Sequence, residues 1–406
     1  MSKTSLYNTY DNSPKIKQIV DSLQQAEQKI QLNGLIGSSL SFVVQSLFKK
    51  TEKPFLLILN DKEEAAYYLN DLEQMIGDED VLFYPGSYRR PYQIEDTDNA
   101  NVLLRAEVLN RINSRKKPAI IVTYPEALFE KVVTRKELDK NTLKVTVGDQ
   151  ISIDFINEVL FEYEFKRVDF ITEPGEFSVR GGIVDVFSFS NDNPYRIEFF
   201  GNEVDSIRSF DVETQLSIEK QKKITIIPNV ENKFFQENRE SFLEYINNQT
   251  VLFIQDAEGL FTKLDRLFAK STEIFENLNA TVNHVAPSQL FLNQAEFIKK
   301  SLDFSVVELS SKAIYRTKTT FEFYIKPQPS FNKQFDLLLN NLNDNHFNGY
   351  QNYLFSSNDA QAKRFHDIFE SLDEENSENI CKQYNTIVLP LYQGFIDEEN
   401  QIVCYT

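Results

Sequence analysis

The fold is decided by the stretch Gly34-Leu35-Ile36-Gly37-Ser38-Ser39-Leu40-Ser41, in which a strand pattern gives way to a helical one. The stretch fits the frame of the phosphate-binding loop, G-x-x-x-x-G-K-[ST]. Ser39 replaces the second glycine of that pattern, and Leu40 replaces its lysine. Because that lysine reaches the phosphates and that glycine lets N–H groups surround them, the stretch predicts the architecture of a nucleotide site without its chemistry. A glycine- and serine-rich turn can also match this frame by chance.

The residues around this loop alternate between strand and helix patterns. Residues 55–59 form an apolar run that is typical of a strand buried on both faces of a parallel sheet. Further strands are predicted at 81–84 and 119–122, with helices between them. Such alternation predicts right-handed crossovers and a doubly wound α/β domain.

Between residues 140 and 230 the pattern changes to short alternating strands. Turn signals at Gly181-Gly182 and Gly201-Asn202 separate them, which predicts an antiparallel sheet with one solvated face. That face would carry Arg167, Arg180 and Arg196, although residues 141–230 hold 16 acidic and 9 basic side chains. Scattered surface charges, or partners within the sheet, are the alternative interpretation of these arginines.

Composition excludes several classes of protein. The 406 residues suffice for about two to four domains, and a net charge of −18 argues against the whole chain wrapping nucleic acid. No apolar run approaches the roughly 18 residues of a membrane span, so we predict a soluble, cytoplasmic chain without membrane contact. Two cysteines and three histidines, all isolated in the sequence, offer no metal site.

A family resemblance rests on two blocks, Glu173-Pro-Gly-Glu-Phe-Ser-Val-Arg-Gly-Gly-Ile-Val-Asp-Val-Phe187 and Tyr195-Arg-Ile-Glu-Phe-Phe-Gly-Asn-Glu-Val-Asp-Ser-Ile-Arg-Ser-Phe-Asp211. They closely resemble the UvrA-binding domain that UvrB shares with the transcription-repair coupling factors. UvrB has an intact phosphate loop and a long aromatic hairpin, whereas this chain has a degenerate loop and only a short stretch at residues 83–92. It therefore resembles the N-terminal, UvrB-like module of the coupling factors.

The resemblance implies an α/β fold in which a degenerate P-loop, RecA-like parallel-sheet domain carries an inserted antiparallel α+β UvrA-binding domain. A small C-terminal α/β domain of unknown role would follow, after a linker at residues 326–330. The predicted boundaries are 1–135 for the first part of the motor-like domain, 136–229 for the insert, 230–325 for the second part and 326–406 for the last domain.

Residues 250–258 resemble the strand that ends in the D-E motif of helicases. Asp256 keeps the aspartate, and Ala257 replaces the glutamate that orients the attacking water. Together with Leu40, this loss predicts that the degenerate nucleotide site (Gly34, Gly37, Ser38, Ser39, Leu40, Ser41, Asp256 and Ala257) is inactive. We expect no catalytic residue, metal or cofactor in this chain.

By resemblance, the chain is expected to be the N-terminal fragment of a coupling factor, a non-catalytic adaptor that recruits UvrA to stalled RNA polymerase in nucleotide-excision repair. ATP, Mg²⁺, double-stranded DNA and RNA polymerase would be bound by other parts of the parent protein, whose C-terminal region would mask the UvrA site. The residues leave two alternatives open: a UvrB-like helicase component with residual nucleotide or DNA binding, and a phosphate-binding enzyme.

The resemblance also implies the residues that contact UvrA. They are expected to be Arg167, Phe170, Phe177, Arg180 and Arg196, since arginine makes bidentate bonds to carboxylates and tolerates partial burial. Ser178 departs from the UvrB pattern, which carries another arginine there, and this difference predicts a weaker or rearranged interface.

Overall fold

The computed structural model describes residues 3–87, 99–114, 117–189, 191, 193–229, 239–278, 285–372 and 383–406. The second half of the short stretch at 83–92, from residue 88 onward, falls outside them. Within the described ranges, no helix combines the length and apolar character that crossing a bilayer requires. No cluster of acidic, histidine and cysteine side chains in those ranges could hold a metal ion.

The described chain alternates between strands and helices along most of its length. The strands are β1 (Lys29–Asn33), β2 (Phe55–Ile58), β3 (Val81–Tyr84), β4 (Ile120–Thr123), β5 (Val132–Val133), β6 (Leu143–Thr146), β7 (Lys166–Arg167), β8 (Glu176–Arg180), β9 (Ile183–Val186), β10 (Tyr195–Phe200), β11 (Glu203–Phe210), β12 (Ser217–Gln221), β13 (Lys223–Ile226), β14 (Arg239–Glu240), β15 (Val251–Ile254), β16 (Ser305–Glu308), β17 (Thr319–Glu322), β18 (Ile325–Pro327), β19 (Gln351–Ser356), β20 (Tyr384–Val388), β21 (Phe395–Asp397) and β22 (Ile402–Tyr405). The helices are α1 (Lys3–Asp11), α2 (Pro14–Gln24), α3 (Ser39–Thr51), α4 (Lys62–Ile76), α5 (Asn99–Ser114), α6 (Pro125–Phe129), α7 (Arg135–Lys140), α8 (Ile153–Glu162), α9 (Phe242–Tyr245), α10 (Ala257–Glu276), α11 (Pro287–Leu290), α12 (Gln294–Ser301), α13 (Phe335–Phe347) and α14 (Asp359–Leu372).

The main sheet has seven parallel strands in the order β17-β1-β16-β15-β2-β4-β3. Its central strands β2, β4, β15 and β16 are buried along their whole length, as their apolar sequences require when helices cover both faces. Strand β15 pairs directly with β2, so the residues after the insert complete the sheet that the residues before it begin. The expected α/β class is confirmed.

The middle of the chain forms a second sheet, in the order β12-β11-β10-β9-β8-β7. Its pairs are antiparallel except for β7 with β8, which is parallel and differs from the uniform antiparallel pattern predicted. Gly181 (φ +60°) and Gly201 (φ +63°) turn two of its hairpins, where their left-handed backbone suits glycine. Strands β6 and β13 pair with each other and flank this sheet in the sequence. The chain therefore enters and leaves the domain side by side, as an insertion requires.

The last part of the chain forms a five-stranded sheet, in the order β18-β21-β22-β19-β20. Residues 326–327, which the sequence assigned to a linker, lie in β18 and pair with β21. This domain does not stand apart from the first one. Phe42 of α3 contacts Phe395 and Phe355, with ring centroids 5.8 and 6.4 Å apart, and the three side chains belong to one buried core.

Candidate functional site

The degenerate phosphate loop joins β1 to α3, and its first glycine is required by packing. Gly34 has a φ of +89°, and a Cβ atom placed on it would lie 2.1 Å from the carbonyl oxygen of Phe323. The Phe323 amide in turn donates to the carbonyl of Asn33 at 2.8 Å. Gly34 therefore permits the close passage of the segment that follows β17, a role that needs no phosphate.

The polar groups of the loop bond to protein partners. The Ser39 hydroxyl donates to the Ile36 carbonyl at 2.7 Å and accepts from the Ile36 amide at 3.0 Å, which closes the turn on itself. Leu40, in the lysine position, is buried in the core. Ser41, in the position of the magnesium-binding hydroxyl, donates to Asp71 of α4 at 3.1 Å.

The amide of Ser38 faces the C-terminal domain. It donates to the carbonyl oxygen of Gln393 at 3.0 Å, and the Gln393 amide donates back to the Ser38 hydroxyl at 3.1 Å. Gly37 (φ +56°) allows this approach, because a Cβ atom there would lie 3.1 Å from the same carbonyl. A segment of the last domain thus packs against the loop at Gly37 and Ser38.

Asp71 connects the loop to that segment. Its carboxylate, completely buried, accepts from the Ser41 hydroxyl on one oxygen and from the Tyr392 amide, at 2.9 Å, on the other. Burial raises the pKa of Asp71 above its ordinary value of 3.8, although hydrogen bonds to the carboxylate act in the opposite direction. Desolvation is the larger effect because the group is removed from water.

The raised pKa of Asp71 predicts a pH-dependent stability. The Asp71 carboxyl keeps its proton to a higher pH in the folded chain than in the unfolded chain, where its pKa is about 3.8. The free energy of unfolding therefore falls as the pH rises from 3.8 through the pKa of the folded state. Asp71→Asn removes this contribution. Denaturant titrations of both proteins should therefore show the variant gaining stability relative to the wild type as the pH increases. A difference that stays constant with pH would contradict the prediction.

The second half of the degenerate site lies at the same edge of the main sheet. Asp256 is exposed and accepts from the Gly259 amide at 3.0 Å, so it caps α10, while Ala257 is buried. Strand β16 separates β15 from β1, a spacing of about 10 Å between their ends. The predicted nucleotide-site residues therefore share one edge of the sheet.

On the second sheet, two of the predicted arginines converge on one carboxylate. Asp185 is almost fully buried and accepts two bonds from Arg196, at 2.7 and 2.8 Å, and one from Arg180. Arg196 also lies over the ring of Phe210, 4.4 Å from its centroid. The bonds to Asp185 raise the pKa of Arg196 above its ordinary value. Arg196 is therefore held within the sheet.

Three of the predicted residues, Arg167, Phe170 and Arg180, are exposed along the edge of this sheet formed by β7 and β8, and we call them the arginine–phenylalanine patch. Arg167 is exposed in the edge strand β7, but its register partner is Phe177, so its side chain points to the opposite face of the sheet from Arg180 and not to the shared face that the sequence predicted. The Phe170 side chain is 65% exposed. The Arg180 guanidinium lies 5.4 Å from the Phe170 ring centroid, within the range of a cation–π contact. A cationic group beside an exposed aromatic ring suits a partner that offers carboxylates next to an apolar pocket.

Phe177 does not lie where the sequence predicted. It was expected to flank the arginines on the contact face, but it is fully buried and packs edge-on against Phe161 of α8. Successive residues of a strand point to opposite faces, so Phe177 belongs to the core side of β8. Ser178, on the other side, is buried as well, and its hydroxyl donates to the Asp169 carbonyl at 3.1 Å.

Three residues of these sites were not anticipated from the sequence: Asp71, Asp185 and Gln393. Asp185 lies within the resemblance block and directly opposite Arg196 in the strand register, so hairpin pairing could have indicated it. Asp71 and Gln393 carry no comparable signal, because their contacts join segments that are distant in the sequence.

Comparison with known families agrees with this geometry. Residues 143–232 match the family model of the UvrB interaction domain, which covers the inserted sheet together with β6 and β13. A parallel-sheet domain with a degenerate phosphate loop and an inserted UvrB interaction domain defines a UvrB-like module.

The curated relatives specify the module further. The chain is 32% identical over 273 residues to the transcription-repair-coupling factor of Bacillus subtilis, covering 67% of this chain and 22% of that protein. The factor of Myxococcus xanthus is 29% identical over 217 residues, covering 52% of this chain and 18% of that protein. The UvrABC system protein B of Clostridium botulinum is 27% identical over 238 residues, covering 55% and 36%. The predicted resemblance to the N-terminal UvrB-homology module of transcription-repair coupling factors is confirmed, and the chain spans about a fifth of the length of those factors.

Proposed function

We propose that this chain is the UvrA-recruiting part of a transcription-repair coupling factor. The observation that carries the proposal is the match of residues 143–232 to the UvrB interaction domain, on which the arginine–phenylalanine patch is exposed. UvrA would bind this patch, and the parent protein would bring it to RNA polymerase stalled on DNA. Masking of the patch by the parent's C-terminal region would restrict recruitment to the engaged state.

We further propose that the chain acts without hydrolysing ATP. The position of the phosphate lysine is filled by buried Leu40, and the position of the water-orienting glutamate is filled by buried Ala257. ATP turnover in transcription-coupled repair would then belong to other parts of the parent protein. A UvrB-like component with residual nucleotide binding is the competing function, and an ATPase assay of this chain distinguishes the two.

The patch predicts a specific binding defect. The double variant Arg167→Glu/Phe170→Ala should bind purified UvrA at least about 100-fold more weakly, because truncated interfacial charges and aromatic anchors dominate such losses. Both side chains are exposed, so the thermal melt should barely change. Arg180 is left intact in this design, since its guanidinium pairs with Asp185. Calorimetric titration with UvrA measures the effect.

A matched control lies at the opposite edge of the same sheet. Ile218 (56% exposed) and Lys220 belong to the edge strand β12. The variant Ile218→Ala/Lys220→Glu likewise truncates an exposed apolar side chain and reverses a positive charge. This control should bind UvrA like the wild type. Normal binding by the patch variant, or an equal loss in both variants, would show that UvrA does not use the patch.

A further inference from the structure

The loop that would hold phosphate is in contact with a segment of its own chain. This segment, residues 390–394, connects β20 to β21, and we call it the docking turn. Its central residue Gln393 exchanges two hydrogen bonds with Ser38, one from each amide. In a phosphate loop, the amides at this point of the strand-to-helix turn face the anion. Here one of them faces a backbone carbonyl, whose partial negative charge satisfies the same donor.

Contacts on both sides of Gln393 hold the docking turn in this position. The Tyr392 amide donates to buried Asp71, and the Tyr392 ring stacks on Tyr67 of α4 with centroids 3.8 Å apart and planes 12° apart. The Asn70 side chain donates to the Pro390 carbonyl at 3.2 Å. Tyr67, Asn70 and Asp71 of α4, together with the loop, therefore bind the docking turn.

We propose that the degenerate phosphate loop has become an intramolecular docking site, and that the docking turn takes the place of a nucleotide's phosphates. The nucleotide is then excluded by occupancy as well as by the missing lysine. The loop's remaining function is to fix the C-terminal domain against the parallel sheet, with Gly37 retained for the close approach of Gln393. This inference is independent of UvrA binding and gives the last domain a defined attachment point.

Hydrogen exchange of the native chain tests the docking directly. The Ser38 amide has its acceptor in the docking turn, so its protection reports docking. Tyr392→Ala removes the ring stack and should speed exchange of this amide by at least about tenfold, because local opening becomes easier. The control Phe347→Ala changes an 84% exposed ring of the same domain and should leave the Ser38 amide unchanged. Unchanged exchange in Tyr392→Ala, or equal acceleration in both variants, would overturn the docking.

Nucleotide binding tests the occupancy. Ser39→Gly/Leu40→Lys restores the phosphate-loop pattern, and Mg-ATP is the probe in a calorimetric titration. Adding Tyr392→Ala to this pair should lower the apparent Kd for Mg-ATP at least about tenfold, since a larger fraction of molecules has an open loop. Equal apparent affinity with and without Tyr392→Ala, including no binding in either, would overturn the occupancy. The UvrA titration is unaffected by either result, so failure of this inference is distinct from failure of the proposed function.

Discussion

Replacing Gly34 with alanine is expected to destabilise the chain by about 2–5 kcal/mol. The left-handed backbone at φ +89° costs a residue with a Cβ about 1–2 kcal/mol. The new methyl group would also lie 2.1 Å from the Phe323 carbonyl oxygen, and overpacking of this kind costs about 1–3 kcal/mol more. The carbonyl belongs to a backbone that is bonded to β1, so it cannot move aside cheaply. Chemical denaturation measures the difference.

Gly349→Ala is the matched control for this prediction. Gly349 has nearly the same backbone angle, φ +84°, but the nearest atom to an added Cβ is 4.0 Å away. Its replacement should cost only the backbone strain of about 1–2 kcal/mol. If Gly34→Ala and Gly349→Ala lower the free energy of unfolding equally, the contact with the Phe323 carbonyl does not require glycine at position 34.

Replacing Asp185 with alanine is expected to destabilise the inserted domain by about 2–4 kcal/mol. Removing one partner of a fully buried ion pair costs about 3–5 kcal/mol, and the smaller value allows for the 43% exposure of the Arg180 side chain. Arg196, whose side chain is only 18% exposed, would lose both of its carboxylate bonds. Because Asp185 also positions Arg180 in the arginine–phenylalanine patch, UvrA binding should weaken as well.

Glu198→Ala provides the comparison on the same sheet. Glu198 pairs with Arg208, and both side chains are 30% exposed, so solvent screens the pair and its removal should cost no more than about 1 kcal/mol. Circular-dichroism melts and UvrA titrations of the two variants separate structural from interfacial effects. Equal stability of Asp185→Ala and the wild type would mean that the arginines do not depend on this carboxylate.

The sequence predicted the parallel sheet well because its signals are local. An apolar run such as residues 55–58 can only be buried on both faces, and this constraint identifies a central strand without knowledge of its neighbours. The loss of lysine at Leu40 and of glutamate at Ala257 is likewise a matter of residue identity. The family resemblance rested on an ordered block of residues, and its extent agrees with the matched domain at 143–232.

The candidate site could be predicted only in part. Arg167 and Phe170 are exposed as expected, whereas Arg196 is held by Asp185 and Phe177 lies in the core. Alternation along a strand indicates which residues share a face. It does not indicate which face is covered, because that depends on where α8 packs.

By itself, the sequence determined the α/β class, the presence of a UvrB interaction domain and the absence of the phosphate-loop lysine at Leu40, since each depends on which residues stand at neighbouring positions. Only the tertiary structure decided what the degenerate loop contacts. Gly34 meets Phe323, Ser38 meets Gln393 and Asp71 meets Tyr392 across long separations in the chain. Such contacts arise from the register of the sheet and the packing of whole domains. They cannot be predicted from the residues adjacent in the sequence.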